Sequence, residues 1–333
     1  MDKTRIIQIG TGLHGLHWIK TILSMEDVEL GAIVDMSVDN LEMARSLLGG
    51  KPVPAYTDYN KALQETTADI AVVVTPPGTH KKIMEDMLKA GLHVIMEKPI
   101  SLDWSESVEM ADVADKSGKY VMISQNYRWN PTIQAVKAAV DSNVVGRIEE
   151  VEWLFARNHT ASSSFVEWRK QMEEMFMKEM CIHHFDLMRY LLGANAVSVY
   201  AESASPSWNF LDSNGSVSAI IRFEPEVMVH YYGSFINRGT DTPWHGYFRL
   251  IGSEGAIESY DDTPCIIRLD GSRQRIPLPD MTYTGLKYSL VEMLNSIREG
   301  RKPMTHIGDN LHSWEIACRA VESIKEERRI RFT

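Results

Sequence analysis

The chain predicts two domains in series: a doubly wound α/β domain with a parallel sheet, then an α+β domain on a mostly antiparallel sheet. Three observations carry this. The apolar run Ile6-Ile7-Gln8-Ile9 breaks into Gly10-Thr11-Gly12-Leu13-His14-Gly15, three glycines spaced G-x-G-x-x-G where a strand gives way to a helix. From there to Ser124, apolar strands alternate with helical patterns, as in a parallel sheet wound with helices. Beyond Gly193, strand-like segments follow one another with no helix between them, which marks an antiparallel sheet. The 333 residues accommodate both domains, with the boundary expected between residues 124 and 125.

Composition narrows the classes of partner. A formal charge of -10 with dispersed basic residues argues against nucleic acid, whose phosphates need a clustered basic face. The one basic run, Lys325 to Arg331, is interleaved with Glu326 and Glu327 and reads as a solvated helix end. Cys181, Cys265 and Cys318 are odd in number and widely spaced, which suits a reducing compartment better than a disulfide framework. Met1-Asp2-Lys3 leads directly into a strand, and no apolar stretch approaches the length of a bilayer span. A cytoplasmic protein with no membrane partner is therefore expected.

In the first domain each element has a reason. Gly10 permits the tight turn, Gly12 lets backbone N–H groups approach a pyrophosphate, and Gly15 allows close packing of helix on strand. The pyrophosphate would sit on the helix N-terminus, so Thr11, Leu13 and His14 join the glycines as expected cofactor contacts. Helical spacing runs from Leu16 to Met25, and strand Val28 to Val34 ends at Asp35. A carboxylate there accepts hydrogen bonds from the adenosine ribose and repels a 2′-phosphate, which predicts NAD rather than NADP. The plainer alternative is a helix N-cap or turn aspartate. Helices over Asn40–Leu47 and Tyr59–Glu65 lead to the all-apolar run Ile70–Val74, which suits a parallel strand covered on both faces. Its carboxyl end carries Thr75-Pro76-Pro77-Gly78-Thr79-His80, in the position where ligands gather in open α/β sheets. Helix Lys81–Ala90 stops at Gly91, and strand His93–Met96 delivers Glu97-Lys98-Pro99. Helix Trp104–Ser117 and strand Tyr120–Ser124 complete the array, which Gln125 to Pro131 leaves.

The second domain begins with helix Thr132–Val140 and a long alternating strand, Arg147–Arg157. The segment Asn158–Met177 has no clear period and reads as a substrate or cofactor loop. Helix Phe176–Leu192 stops at Gly193. Strands then follow at Val197–Glu202, Ser216–Phe223, Val227–Phe235, Gly246–Ile251, Ala256–Tyr260, Cys265–Leu269 and Gln274–Pro277. Two helices, Tyr288–Arg298 and Asn310–Glu327, close the chain.

Three residues carry candidate chemistry. Lys98 follows a buried strand and precedes a proline that holds the local backbone extended. Beside bound NAD, desolvation and the positive nicotinamide both disfavour its charge, making it a hydrogen-bond donor to a substrate hydroxyl and a proton shuttle. The alternative is a surface lysine paired with Glu97. Glu179 and His183 stand four apart on a helix and share a face. His183 suits a general base for a hydroxyl proton, with Glu179 orienting the imidazole or binding a second hydroxyl. On spacing alone a structural i,i+4 pair is the simpler reading. Asp186 reads equally as a packing or capping partner, and His184 faces elsewhere. Adjacent histidines on a helix diverge, so no metal site is expected from His183, His184 and Glu179.

Taken in order, these motifs resemble the glucose-fructose oxidoreductase / inositol dehydrogenase (Gfo/Idh/MocA) family: the glycine turn, Asp35, Glu97-Lys98-Pro99, Asn126 to Pro131, Trp168-Arg169 and Glu179 to Asp186. The match extends to Ile251 through Glu258 and to Gly300-Arg301-Lys302-Pro303, nearly the whole chain. The resemblance implies an N-terminal Rossmann domain and a C-terminal domain whose large open-faced sheet serves dimer or tetramer contacts. It implies that Lys98 contacts substrate and nicotinamide and that His183 is the histidine of the family's D-x-x-x-H-x-x-D helix. It also implies that Thr75, Pro76, His80, Glu97, Asn126, Trp168 and Arg169 line the cofactor cleft, and that Tyr127 and Arg128 join Lys98, Glu179 and His183 around substrate. Glu179 replaces the usual aspartate and Cys181 the usual glycine. The glycine-rich run before the helix is replaced by Glu173-Glu174-Met175-Phe176. The expected activity is NAD-dependent oxidation of a hydroxyl on a sugar, sugar acid or cyclic polyol. An NAD-dependent glycosidase working by transient oxidation and elimination is the enzymatic alternative. A sugar-sensing regulator is the non-enzymatic one, against which the presence of both Lys98 and His183 counts.

Overall fold

The computed structural model describes residues 3–159, 169, 172–261 and 263–332. The chain divides into two compact units, one of Met1–Asn126 with Tyr283–Leu311 and one of Tyr127–Thr282 with His312–Thr333. The first holds a six-stranded sheet in the order β3-β2-β1-β4-β5-β6, every neighbour parallel. Its strands are β1 (Thr4–Ile9), β2 (Val28–Val34), β3 (Ala55–Tyr56), β4 (Ile70–Val73), β5 (His93–Met96) and β6 (Val121–Ile123). Strand order reverses beside β1, and ligands bind at such a switch point, outside the carboxyl ends of the strands. Register brings those ends level: Ile9 pairs with Val34 and with Val73, and Val73 pairs with Met96. Gly10, Asp35, Val74 and Glu97 therefore all leave the sheet along one line.

Helices α1 (Leu13–Leu23), α2 (Val38–Ser46), α3 (Tyr59–Glu65), α4 (His80–Lys89) and α5 (Trp104–Lys116) follow the strands. Side chains of Ser37, Asp58 and Asp103 cap α2, α3 and α5 by accepting from N–H groups of the first turn. Two-residue β3 carries no period of its own and is absent from the sequence reading.

The second unit is built on a nine-stranded sheet in the order β14-β13-β12-β11-β7-β10-β9-β8-β15. Its strands are β7 (Ile148–Ala156), β8 (Ala196–Ala204), β9 (Ser216–Phe223), β10 (Val227–Ser234), β11 (Tyr247–Gly252), β12 (Gly255–Ser259), β13 (Cys265–Arg268), β14 (Arg273–Arg275) and β15 (Ile330–Arg331). Only β7 and β10 pair in parallel. Alternation gives one dry face, with Val151, Trp153, Phe155, Val229 and Tyr231 buried, and one face where Leu154, Ile220 and Tyr232 are exposed. Helix α6 (Pro131–Asp141) precedes the sheet. A π-helical turn, Met177–Cys181, runs directly into α7 (Ile182–Leu192), which the sequence had read as one α-helix. Helix α7 ends on Gly193 at φ 63°, a left-handed cap.

The chain then returns. Helix α8 (Gly285–Glu299) belongs to the first unit, where Leu290 and Met293 join the core with Trp18, Ile19, Ile22, Val72 and Ile95. The single boundary expected after residue 124 did not include this return. Helix α9 (Ile307–Glu326) ends the helical part, and Ile330 then pairs with Val199 as β15. The basic run read as a solvated helix end is thus partly an edge strand.

Candidate active site

Geometry at the glycine turn separates three roles. Gly10 has φ 94°, and a Cβ there would lie 2.3 Å from the Val74 carbonyl oxygen. A Cβ on Gly15 would lie 2.4 Å from the Gly10 carbonyl oxygen. Gly12 is the N-cap of α1 with no side-chain cap, and a Cβ on it would meet nothing among the described residues within 4 Å. The first two glycines therefore serve the fold, whereas Gly12 leaves room over the helix N-terminus. The first turn of α1 carries no acidic side chain of its own, so the positive end of the helix is open to an anion there. Leu13 and His14 are exposed in it.

Asp35 is drawn over this turn. Its Oδ2 accepts from the Thr11 backbone N–H at 2.7 Å and the Thr11 hydroxyl at 3.1 Å, and its Oδ1 accepts from the Ser37 N–H at 2.9 Å. The Asn40 amide donates to both oxygens at 3.2 Å. The N-cap of α2 is Ser37, so Asp35 does not cap that helix, while its bond to the Ser37 N–H two residues on is the turn contact that the plainer alternative named. A half-buried carboxylate beside an open glycine at a helix N-terminus fits the ribose and pyrophosphate of NAD.

Glu97, at the end of β5, is buried and accepts from the Trp18 indole at 2.9 Å; its Oε1 lies 3.1 Å from His14 Nε2. Burial alone would raise this carboxyl. The His14 ring and its hydrogen bond, Lys98 and Trp18 together hold it well below the ordinary carboxylate range. Trp18 lies one helical turn beyond His14 and was not singled out in the sequence, where it reads as core. Lys98 is half-buried at the same strand end, and its peptide bond to Pro99 is cis.

His80 calls for a correction. It is fully buried, with Nε2 2.9 Å from the Thr75 carbonyl oxygen and Nδ1 3.1 Å from those of Pro99 and Ile100. Burial holds its imidazole below the ordinary range. Its ring ties the loop after β4 to the loop after β5 rather than lining a cleft. Thr75 and exposed Pro76 remain at the surface of that loop.

A 3-10 turn over Asn126–Trp129 leads into the second unit, whose first residues, Tyr127 and Arg128, meet α7. The Tyr127 ring stacks on His183, centroids 4.2 Å apart and planes within 6°. Burial pushes the Tyr127 hydroxyl up, keeping it protonated. His183 is 6% exposed. Arg128 is the second correction: it is 4% exposed and donates to both Asp186 oxygens at 2.7 Å. Ser313 also donates to Asp186, at 2.9 Å. That guanidinium anchors α7 instead of facing substrate, and Asp186 is the packing partner the spacing allowed. Glu179 lies in the π-helical turn, where its carboxylate meets the Arg169 guanidinium at 3.4 Å. Trp168 and most of the segment expected to form a substrate loop lie outside the described residues. Among the described residues no group of three or more His, Cys, Asp and Glu side chains is placed to hold a metal ion.

Comparison with known proteins follows the same division. Residues 4–125 match the oxidoreductase family described as GFO/IDH/MocA with an NAD-binding Rossmann fold, and residues 133–258 match the GFO/IDH/MocA C-terminal domain. The chain is 31% identical to an inositol 2-dehydrogenase of Rhizobium meliloti, over 80% of this chain and 82% of the relative. Its fold is similar to that of an Agrobacterium radiobacter oxidoreductase solved with NAD+, L-tartaric acid and magnesium, with TM-score 0.87, 18% identity and coverage of 99% and 98% of the two chains. It is also similar to the WlbA dehydrogenase of Bordetella pertussis solved with NADH and UDP-GlcNAcA, with TM-score 0.83, 22% identity and 99% coverage of each chain.

Proposed function

The chain belongs to the GFO/IDH/MocA family of NAD-dependent oxidoreductases, and we propose that its reaction is the oxidation of a secondary hydroxyl on a cyclic polyol, sugar or sugar acid. The observation that carries this reading is that one chain holds an NAD-type glycine turn with Lys98 at the strand end of one unit, and a buried His183 stacked on Tyr127 in the other. The inositol dehydrogenase relative favours a polyol ring within that class.

NAD, when bound, supplies the hydride acceptor. Gly10, Gly12 and Gly15 shape the turn that receives the pyrophosphate, and Asp35 takes the ribose hydroxyls. Lys98 donates a hydrogen bond to the reacting oxygen and steadies the alkoxide as its proton leaves. His183 takes that proton on an imidazole nitrogen, with the Tyr127 ring fixing the plane of the imidazole. Glu179, held by Arg169, accepts from a second substrate hydroxyl.

A panel of inositols, sugars and uronates followed at the NADH absorbance tests the reading. Turnover is expected with NAD and at least about tenfold less with NADP, while His183→Ala and Lys98→Ala each lower kcat by roughly 10²–10⁴ with NAD affinity retained. Full turnover by either variant on the true substrate sinks it.

The exposed face of the second sheet supports a further element of the proposal, a homo-oligomer. Leu154 pairs across the sheet with Tyr232 and Tyr247, and these residues with Tyr200, Ile220 and Tyr260 line a shallow groove of about 530 Å³. An apolar patch of that kind on a soluble enzyme marks a contact surface.

A further inference from the structure

A buried line of hydrogen bonds joins Cys181 and His184, on either side of His183 in sequence, to one residue of β10. His184 is fully buried, with Nε2 3.0 Å from the Trp244 carbonyl oxygen and Nδ1 2.8 Å from the Tyr231 hydroxyl. The same hydroxyl lies 3.3 Å from Cys181 Sγ. Elementary chemistry orients this line. A carbonyl only accepts, so His184 Nε2 carries the hydrogen; Nδ1 is then an acceptor, and Tyr231 donates to it. With its one hydrogen spent, the Tyr231 oxygen accepts from the Cys181 thiol. Burial drives His184 down to about 3 and raises both Cys181 and Tyr231, so all three are neutral, as the line requires.

The geometry grips the helix at two points. Cys181 and His184 lie one turn apart on the face toward the sheet, and a single hydroxyl on β10 holds both. His183 lies between them in sequence and projects elsewhere, onto Tyr127. Room for the hydroxyl comes from Gly233, where a Cβ would lie 2.4 Å from the Tyr231 oxygen and 2.8 Å from the Phe176 ring. Apolar side chains alone would let the helix turn or slide by fractions of an ångström, whereas directional bonds to one atom fix both rotation and height.

We propose that the Cys181–Tyr231–His184 line is the positioning device for His183, fixing the rotation of the first turn of α7 so that the imidazole stays parallel to Tyr127. Cys181, fully buried at the end of the π-helical turn, is then a working part of the site. The proposal rests on His183 being the base, and its test is arranged to tell the two apart.

Tyr231→Phe removes one oxygen and opens no cavity. Histidine ring signals of the labelled protein, with His183 assigned by the signal lost in His183→Gln, give a titration that needs no substrate. Tyr231→Phe is expected to shift the His183 midpoint by at least about 0.5 pH unit and to lower kcat roughly ten- to a hundredfold, the scale on which small misplacements act, with the Kd for NAD unchanged. Gly233→Ala, which crowds the hydroxyl, is expected to act in the same direction should Tyr231→Phe fold poorly. Cys181→Ala gives a smaller shift, and Cys181→Ser, which keeps a donor, restores wild-type behaviour. A lowered thermal midpoint with the His183 titration and kcat unmoved overturns the proposal, as does a serine variant no better than alanine. Full turnover by His183→Ala would bring down the base assignment instead.

Discussion

At the scale of single residues, the glycine turn divides cleanly between fold and ligand. Gly10→Ala must place a Cβ 2.3 Å from a carbonyl oxygen on a backbone at φ 94°, so it is expected to lower the thermal midpoint. Gly12→Ala meets nothing among the described residues, so its melting should match wild type while NAD binding weakens at least tenfold by titration calorimetry. Equal effects of the two on both measurements would contradict the assignment. Glu97 offers a second case. Its carboxyl is depressed on folding, so it contributes stability that is fully present above the unfolded value near 4.3 and fades as pH falls through the lower folded value. Glu97→Gln should cost roughly 1–3 kcal/mol at pH 7, and the difference from wild type in denaturant melts should shrink progressively below about pH 4. Of these residues the sequence made Gly10, Gly12, Gly15, Asp35 and Lys98 legible, because their spacing is set by one strand–turn–helix and one strand end. Trp18 and Tyr231 were not, since each reads as an apolar core position and its polar atom matters only through a partner 79 or 50 residues away.

Among elements, α7 shows what periodicity can and cannot reveal. Its pattern gave the helix and its glycine stop, but helical spacing carries no sign that Met177–Cys181 would widen into a π turn. Nor did it reveal that the buried polar residues of α7 would be matched one by one. The family resemblance implied a place for Arg128 around substrate, yet its guanidinium is committed to Asp186. The two assignments differ in outcome. As an anchor, Arg128→Met leaves a buried carboxylate unpaired and should cost roughly 3–5 kcal/mol, whereas joining it with Asp186→Leu should recover part of the loss. A variant with unchanged stability and a raised KM would return Arg128 to the substrate side. Strands of the second sheet were located almost to the residue because most of them, β9, β10 and β12 above all, alternate between a dry and a more exposed face. Edge strand β15 was missed because its two residues sit inside a charged run.

For the whole molecule, the exposed face of the second sheet and the composition of the first unit each make a prediction. Tyr232→Glu with Leu154→Glu should shift the protein toward monomer in light scattering while leaving NAD affinity intact; an unchanged mass would exclude this face as the contact. Residues 1–126 expressed alone lack Leu290 and Met293 and should show weak near-ultraviolet dichroism and early melting, whereas the same segment joined by a short linker to 283–311 should melt cooperatively. The parallel order of the first sheet was legible in its alternation of strand and helix, but its last helix was not assigned to it, since sequence order says nothing of which core a distant helix joins. That discontinuity has a consequence in time. During synthesis the six strands of the first unit emerge early, but 156 further residues must be made before its closing segment begins at Tyr283. At translation rates of roughly 5–20 residues per second, the patch that Leu290 and Met293 cover stays open for about 10–30 seconds. The nascent protein thus carries a half-finished nucleotide fold through that interval, the stretch of its life when a chaperone has the most apolar surface to hold.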